Sequence, residues 1–120
     1  MKNKINIKNK AENISEHWSP KIIGELNNQH VKLAKIKGEF IWHKHDNEDE
    51  LFYVIDGSFE MHLRDRIIEI HKGEMIIIPK GIEHKPVAHS EATIMLFEPN
   101  TTINTGNQIN DFTKFDLDIV

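Results

Sequence analysis

The feature that most constrains this chain is a series of short runs with strand-like alternation, separated by turn residues. From residue 21 onward such runs occupy 21–26, 31–45, 50–55, 59–63, 67–70, 74–78, 84–89 and 92–98. The breaks between them carry turn chemistry: "NNQ", the pair Asp56 and Gly57, "RDR", the pair Lys72 and Gly73, and "PKG" ending at Gly81. No gap is long enough for a crossover helix, so consecutive strands must pair antiparallel. The expected fold is all-β, an antiparallel β-sandwich or barrel. A chain of 120 residues holds one such domain and one core.

Side-chain parity assigns the faces. In 59–63, Phe59, Met61 and Leu63 point inward, while Glu60 and His62 point to solvent. The run 50–55 differs, because Leu51, Tyr53 and Ile55 on one face and Phe52 and Val54 on the other are all apolar. Such a strand is covered on both sides. The interior covers one side, and a second layer or a second subunit covers the other. "MIIIP" is equally apolar on both parities, and a homodimer is the expectation. Residues 1–20 read as a short irregular N-terminal arm, 21–106 as the β-barrel domain, and 107–120 as a C-terminal tail or edge strand. Within the arm, "AENISEHW" is one helical turn or a loop.

Composition excludes several classes of function. With 15 Lys+Arg against 19 Asp+Glu, the net charge is −4, which does not suit a phosphate backbone. Four lysines in the first ten residues form the only basic cluster, without interleaved aromatics; they read as a solvated, loosely ordered terminus, and no nucleic-acid partner is expected. There is no cysteine, hence no disulfide, thiolate nucleophile or Cys-ligated zinc. The longest apolar run, "LFYVI", is five residues, far below a membrane span. The first fourteen residues lack the apolar stretch of a signal peptide, and a soluble cytoplasmic protein is expected. Ser58 in "DGSF" lacks the flanks of a nucleophile elbow, and no glycine-rich phosphate loop precedes a helix.

The chemistry concentrates in "HKHDNEDE", from His43 to Glu50. On an extended strand His43 and His45 share a face. Glu50 opens the next run with the parity of Phe52 and Val54, and His84 follows the "PKGIE" turn. Three imidazoles and a carboxylate suit Mn, Fe, Co, Ni, Cu or Zn without choosing among them. Taken alone, the His-x-His pair reads equally as a solvated hairpin tip. His17, His30, His62, His71 and His89 read as surface residues, and Asp46, Glu48 and Asp49 as turn residues, one of which could orient a histidine. Tyr53, the only tyrosine, has the parity opposite to Glu50.

Two stretches carry a family resemblance. "GEFIWHKHDNEDELFYVIDG" resembles the first motif of the cupin superfamily, G-x5-H-x-H-x3-4-E-x6-G, and "GEMIIIPKGIEH" resembles the second, G-x5-P-x-G-x2-H. The chain departs from the pattern at two places: four residues rather than five separate Gly38 from His43, and Ala88 stands where the second motif ends in Asn. The resemblance, to small single-domain bacterial cupins, implies a jelly-roll barrel, usually dimeric, with a divalent metal at His43, His45, Glu50 and His84.

Parity also provides a provisional pocket. Ile41, Phe52, Val54, Phe59 and Met61 share the inward face with the ligands, and Pro86 and Ala88 share the face of His84. An apolar interior around a polar centre is the usual make-up of a small-molecule site. Arg64 and Arg66 bracket Asp65 in a turn away from the metal. No inward cation is then at hand to anchor a sugar phosphate. The expected function is metal-dependent chemistry on a small organic substrate, of oxygenase, isomerase or decarboxylase type. The alternative is a non-catalytic binding or sensing module for a small ligand.

Overall fold

The computed structural model describes residues 4–120. It contains one helix, α1 (Ile7–Glu12), and seven strands: β1 (Lys21–Leu26), β2 (Gln29–Glu39), β3 (Glu50–Asp56), β4 (Ser58–Leu63), β5 (Ile67–His71), β6 (Met75–Ile78) and β7 (His84–Pro99). All strand pairings are antiparallel, as turn-linked short strands require. The runs 84–89 and 92–98 are one continuous strand rather than two.

That long strand organises the fold. One half of β7 pairs with β2 and β3 (Leu96 opposite Lys32 and Phe52), in the order β1-β2-β7-β3-β6. The other half pairs with β4 and the end of β2, Val87 lying opposite both Glu60 and Glu39. Between the halves the register with β2 shifts between Ile36 and Gly38. Three exposed residues of β7, His89, Ser90 and Glu91, sit at this irregularity, which lets one strand serve both layers of the all-β sandwich. The core between the layers includes Ile36, Val54, Phe59, Met61, Ala88 and Ile94, all buried.

Turn chemistry sets the hairpins. Asn27 and Asn28 form the two-residue β1–β2 loop with φ of 49° and 62°, the double left-handed conformation of a type I′ turn that asparagine tolerates. At the β3–β4 corner Gly57 has φ of 79°, and a Cβ there would lie 3.0 Å from the Glu91 carbonyl oxygen.

The N-terminal arm is more ordered than its composition suggests. Asn6 caps α1 by accepting from the Asn9 N–H. Ala11 and Ile14 are buried against Ile23 and Leu33 on the outer face of the sheet. Residues 1–3 of the arm, with Lys2, lie outside the described residues. The tail returns to the body: Ile119 bridges Ile22 in parallel, and Val120 donates from its N–H to the Ile22 carbonyl. No helix among the described residues is long and apolar enough to cross a membrane.

Candidate metal centre

The run read as a strand over 31–45 is interrupted. β2 ends at Glu39, and the chain stays beside β7 only through Phe40 N–H to Pro86 O and the His43–His84 bridge. Three steps from Phe40 to His43 thus face two from Pro86 to His84, one extra residue on the histidine side. A one-residue bulge reverses parity. Phe40 rather than Ile41 therefore lines the cavity, and Ile41 is only half-buried. His43 and His45 still face inward, because both lie beyond the bulge.

Two turns bring the remaining residues into place. Gly81 donates from its N–H to the His45 carbonyl at 2.7 Å, and Lys80 N–H donates to Asp49 Oδ1 at 2.9 Å. These bonds tie the "PKG" turn to the acidic turn and deliver His84, which follows, to the histidine pair. Asp49 therefore has a structural role, whereas Glu48 accepts from Thr101 and Asp46 pairs with Lys44. None of the three orients a histidine.

His43, His45, Glu50 and His84 are all buried, with one ligand atom from each within 4.8 Å of every other. His45 Nε2 and His84 Nε2 lie 3.2 and 3.5 Å from Glu50 Oε1. Two donors about 2.1 Å from a common ion sit roughly 3.0–3.4 Å apart in octahedral or tetrahedral geometry, so these separations fit a shared ion. His43 Nδ1 donates to the Ile41 carbonyl at 2.9 Å and His84 Nδ1 to the Ile82 carbonyl at 2.8 Å. A carbonyl only accepts, so each neutral ring carries its proton on Nδ1 and turns a bare Nε2 to the centre. His84 Nε2, Glu50 Oε1 and both ring nitrogens of His45 are buried without a protein hydrogen-bond partner. Such orphaned atoms require a partner, and one cation can take His84 Nε2, Glu50 Oε1 and a single ring nitrogen of His45, whose other nitrogen stays without a protein partner.

Electrostatics agree with metal ligation. Burial, reinforced by the neighbouring His84, lowers the His43 pKa to about 4, leaving it neutral. Burial would raise Glu50, but a hydrogen bond with Glu98 and the close approach of the His45 and His84 rings prevail and hold it well below the usual carboxyl range.

A cavity of about 40 Å³ adjoins the cluster. Its walls are Trp18, Phe40, Phe52, Pro86, Ile94 and Leu96, with His43, Glu50, Glu98 and Asn104 as polar members. Of the residues expected there, Phe52 and Pro86 line it. Val54, Phe59, Met61 and Ala88 pack in the core cluster instead. Trp18 stacks on Phe40 with centroids 4.7 Å apart, and Phe112 of the tail packs against both rings, 5.1 Å from Phe40 and 6.4 Å from Trp18. Trp18 has φ of 58°, a strained conformation for a bulky residue. It is held by its backbone N–H to Lys35 O and its indole N–H to Lys37 O, both at 2.9 Å.

The tail reaches the centre as well. Asn107 N–H donates to the Lys44 carbonyl, and Lys44 N–H donates to Asn107 Oδ1, each at 3.0 Å. Gly106 packs so closely that a Cβ would meet the Lys44 oxygen at 2.2 Å. A cut after Gly106 would remove Asn107 and Phe112, and with them these contacts to Lys44 and Phe40.

Sequence reasoning also missed Lys32 and Glu98. Both side chains are nearly fully buried, and Nζ meets Oε1 at 2.8 Å. Burial and the facing Glu50 carboxylate hold Glu98 well above the usual range, against the pull of Lys32. An inward cation therefore exists, but it is committed to Glu98 rather than free for a phosphate.

An antiparallel sandwich enclosing three histidines and a glutamate defines a class of small β-barrel domain. The family profile described as Cupin domain matches residues 29–99, and this chain belongs to that family. It is similar to a cupin-2 domain containing protein of Shewanella frigidimarina of known structure, with 46% identity and a TM-score of 0.78 over 79% of this chain and 93% of that one. It is also 30% identical to the uncharacterized protein YdbB of Bacillus subtilis, covering 82% of this chain and 94% of that protein. A shorter match, 39% over 56 residues, is to an acireductone dioxygenase of a Sulfurihydrogenibium species, and it covers 43% of this chain and 29% of that enzyme.

Proposed function

We propose that this cupin holds one divalent transition metal at His43, His45, Glu50 and His84, and uses it on a small organic molecule admitted to the adjoining cavity. The observation that carries this reading is the set of buried, unpartnered donor atoms converging from three separate stretches of chain. When bound, the ion supplies Lewis-acid polarisation of a ligand oxygen, or redox chemistry if it is Mn, Fe or Cu. The chain's own residues do the rest. His43 and His84 offer Nε2 in a fixed tautomer, Glu50 supplies the negative charge, and the Trp18, Phe40 and Phe52 walls exclude water. The partial alignment with an acireductone dioxygenase supports small-molecule chemistry at such a centre.

Metal analysis of protein purified from its native host tests the reading. One ion per chain, with a chelator lowering the melting temperature, is the expected result. Metal-free protein that is indifferent to both chelator and added ions would sink it. A metabolite screen on the loaded protein then separates turnover from simple binding, which stabilises without forming product.

We also infer a homodimer formed through the outer face of the sheet. Two cross-strand rows, Ile77–Leu51–Phe97–Val31 and Met75–Tyr53–Met95–Leu33, run across β6, β3, β7 and β2. Helix α1 covers the β2 end, while Met75 and Ile77 remain 59% and 53% exposed. An apolar patch of this extent is a candidate interface. Light scattering should report a dimer that Ile77→Lys dissociates; a monomeric parent at micromolar concentration refutes it.

A further inference from the structure

The four ligand residues are at most 3% exposed, and the cavity of about 40 Å³ beside them holds roughly three water-sized groups. An organic molecule therefore enters only if part of the wall moves. Two cavities flank the cluster, and the tail borders both. Asn104 stands in the wall of the first beside Trp18 and Phe40. Ile103, Gly106 and Asn107 bound the second, of about 200 Å³, together with His45 and Glu48.

The stretch 104–114 is built to move as one piece. Its ends are drawn together: Asn104 donates from Nδ2 to Phe112 O at 2.8 Å and accepts from Lys114 N–H at 2.9 Å, and the Thr105 and Thr113 hydroxyls lie 2.7 Å apart. Within it, Phe112 N–H donates to Asn110 Oδ1 at 2.8 Å. A surface loop with adjacent ends, packed by its own side chains, is an Ω-loop. The chain on either side is pinned to the sheet, by β7 ending at Pro99 and by the Ile22–Ile119 bridge. Among the described residues, the loop meets the barrel through two hydrogen bonds, both between Asn107 and Lys44, and through the Phe112 ring against Phe40 and Trp18. Those two rings are fixed: Trp18 donates to the Lys35 and Lys37 carbonyls, and Phe40 N–H donates to Pro86 O.

Resting on the metal reading above, we propose that residues 104–114 form a lid over the centre, with Phe112 as its latch, and that metal and small molecules exchange when this loop lifts while the barrel stays closed. Lifting it breaks few contacts, whereas a route through the sheet would part paired strands. A latch differs from a supporting contact in its kinetics. Phe112 holds the closed state with or without an ion, so its loss should speed entry and exit together and leave their ratio unchanged.

The test mixes apoprotein with Co(II), read by its visible absorption, to measure uptake, and loaded protein with excess EDTA to measure release. Phe112→Ala should accelerate both by at least about tenfold while Kd stays within about threefold. Phe115→Ala, at an exposed tail position outside the loop, should change neither. Asn107→Ala, which removes the acceptor for Lys44 N–H, should shift both rates in the same direction and carries the test if Phe112→Ala does not fold. Unchanged rates overturn the lid. Faster release without faster uptake overturns it too, since that marks a contact supporting the bound site, and so does equal acceleration by Phe115→Ala. A second readout needs no metal: acrylamide quenching of Trp18 in a Trp42→Phe background should rise at least about twofold with Phe112→Ala. If the parent takes up no Co(II), the metal reading fails and quenching alone decides the lid, which an absent rise overturns.

Discussion

Two clusters of histidine and glutamate lie on opposite sides of the same sandwich. Inside, His43, His45, Glu50 and His84 are buried, and several of their polar atoms have no protein partner. Outside, His62 and His89 both reach Glu60 Oε1, at 2.9 and 3.1 Å. The outer group is satisfied within itself and by solvent, His89 being 75% exposed. Hydrogen bonding by His62, then His89, lowers the Glu60 pKa, an ordinary surface arrangement. Residue type and proximity are therefore shared by the two clusters. What separates them is desolvation, which makes an unpartnered nitrogen costly unless an ion completes it.

The largest expected consequence is for the inner cluster. At a metal concentration a thousandfold above Kd, a bound ion stabilises the folded state by about 4 kcal/mol. His84→Ala should weaken metal affinity by at least about a hundredfold and remove most of that stabilisation. Thermal unfolding with and without chelator checks this. An unchanged chelator response would make the two clusters equivalent and break the comparison.

Next in size is the pH response of the apoprotein. His43 has a folded pKa of about 4 against 6.5 for the ordinary side chain. Between those values the unfolded chain binds more protons, so stability rises with pH across the window. Acidification from about pH 6.5 to pH 4 should cost on the order of 3 kcal/mol at this residue, fully present as stability above pH 6.5 and lost toward pH 4. Urea unfolding across that window, compared with a His43→Phe variant, measures the share belonging to His43. Equal slopes in both proteins would contradict the assignment.

Gly106→Ala should have a smaller effect that is confined to the inner cluster. Gly106 has φ of 57°, and a Cβ would press on the Lys44 carbonyl and lie 3.2 Å from His43 Cδ2. A loss of about 2 kcal/mol together with weaker metal binding is expected. Unchanged metal affinity would separate the tail from the centre. The smallest effect belongs to the outer cluster: His62→Ala and His89→Ala should each change stability by less than about 0.5 kcal/mol and leave metal content intact. A drop in metal stoichiometry for either variant would erase the distinction between inside and outside.

Local pattern carried much of this architecture into the sequence. The alternation in β3 and β4 and the glycine and asparagine turns are properties of neighbouring residues, while the set of His43, His45, Glu50 and His84 was legible through the resemblance of two separate stretches to the cupin motifs. They could be read without knowing what lies across the sheet. The strand and turn periods dictated an antiparallel sandwich, and the two histidine-bearing stretches marked where its chemistry collects. Tertiary structure decided the rest. The bulge between Phe40 and His43 depends on pairing with Pro86 and His84, so parity carried along the chain chose Ile41 where Phe40 lines the cavity. Trp18 and Phe112 reach the wall from opposite ends of the chain. Lys32 and Glu98 are separated by 66 positions and meet only because β2 and β7 pair in one register. No local period encodes that register. Burial selects it when the whole sheet closes, and in closing it sets Lys32 against Glu98 beside the cavity.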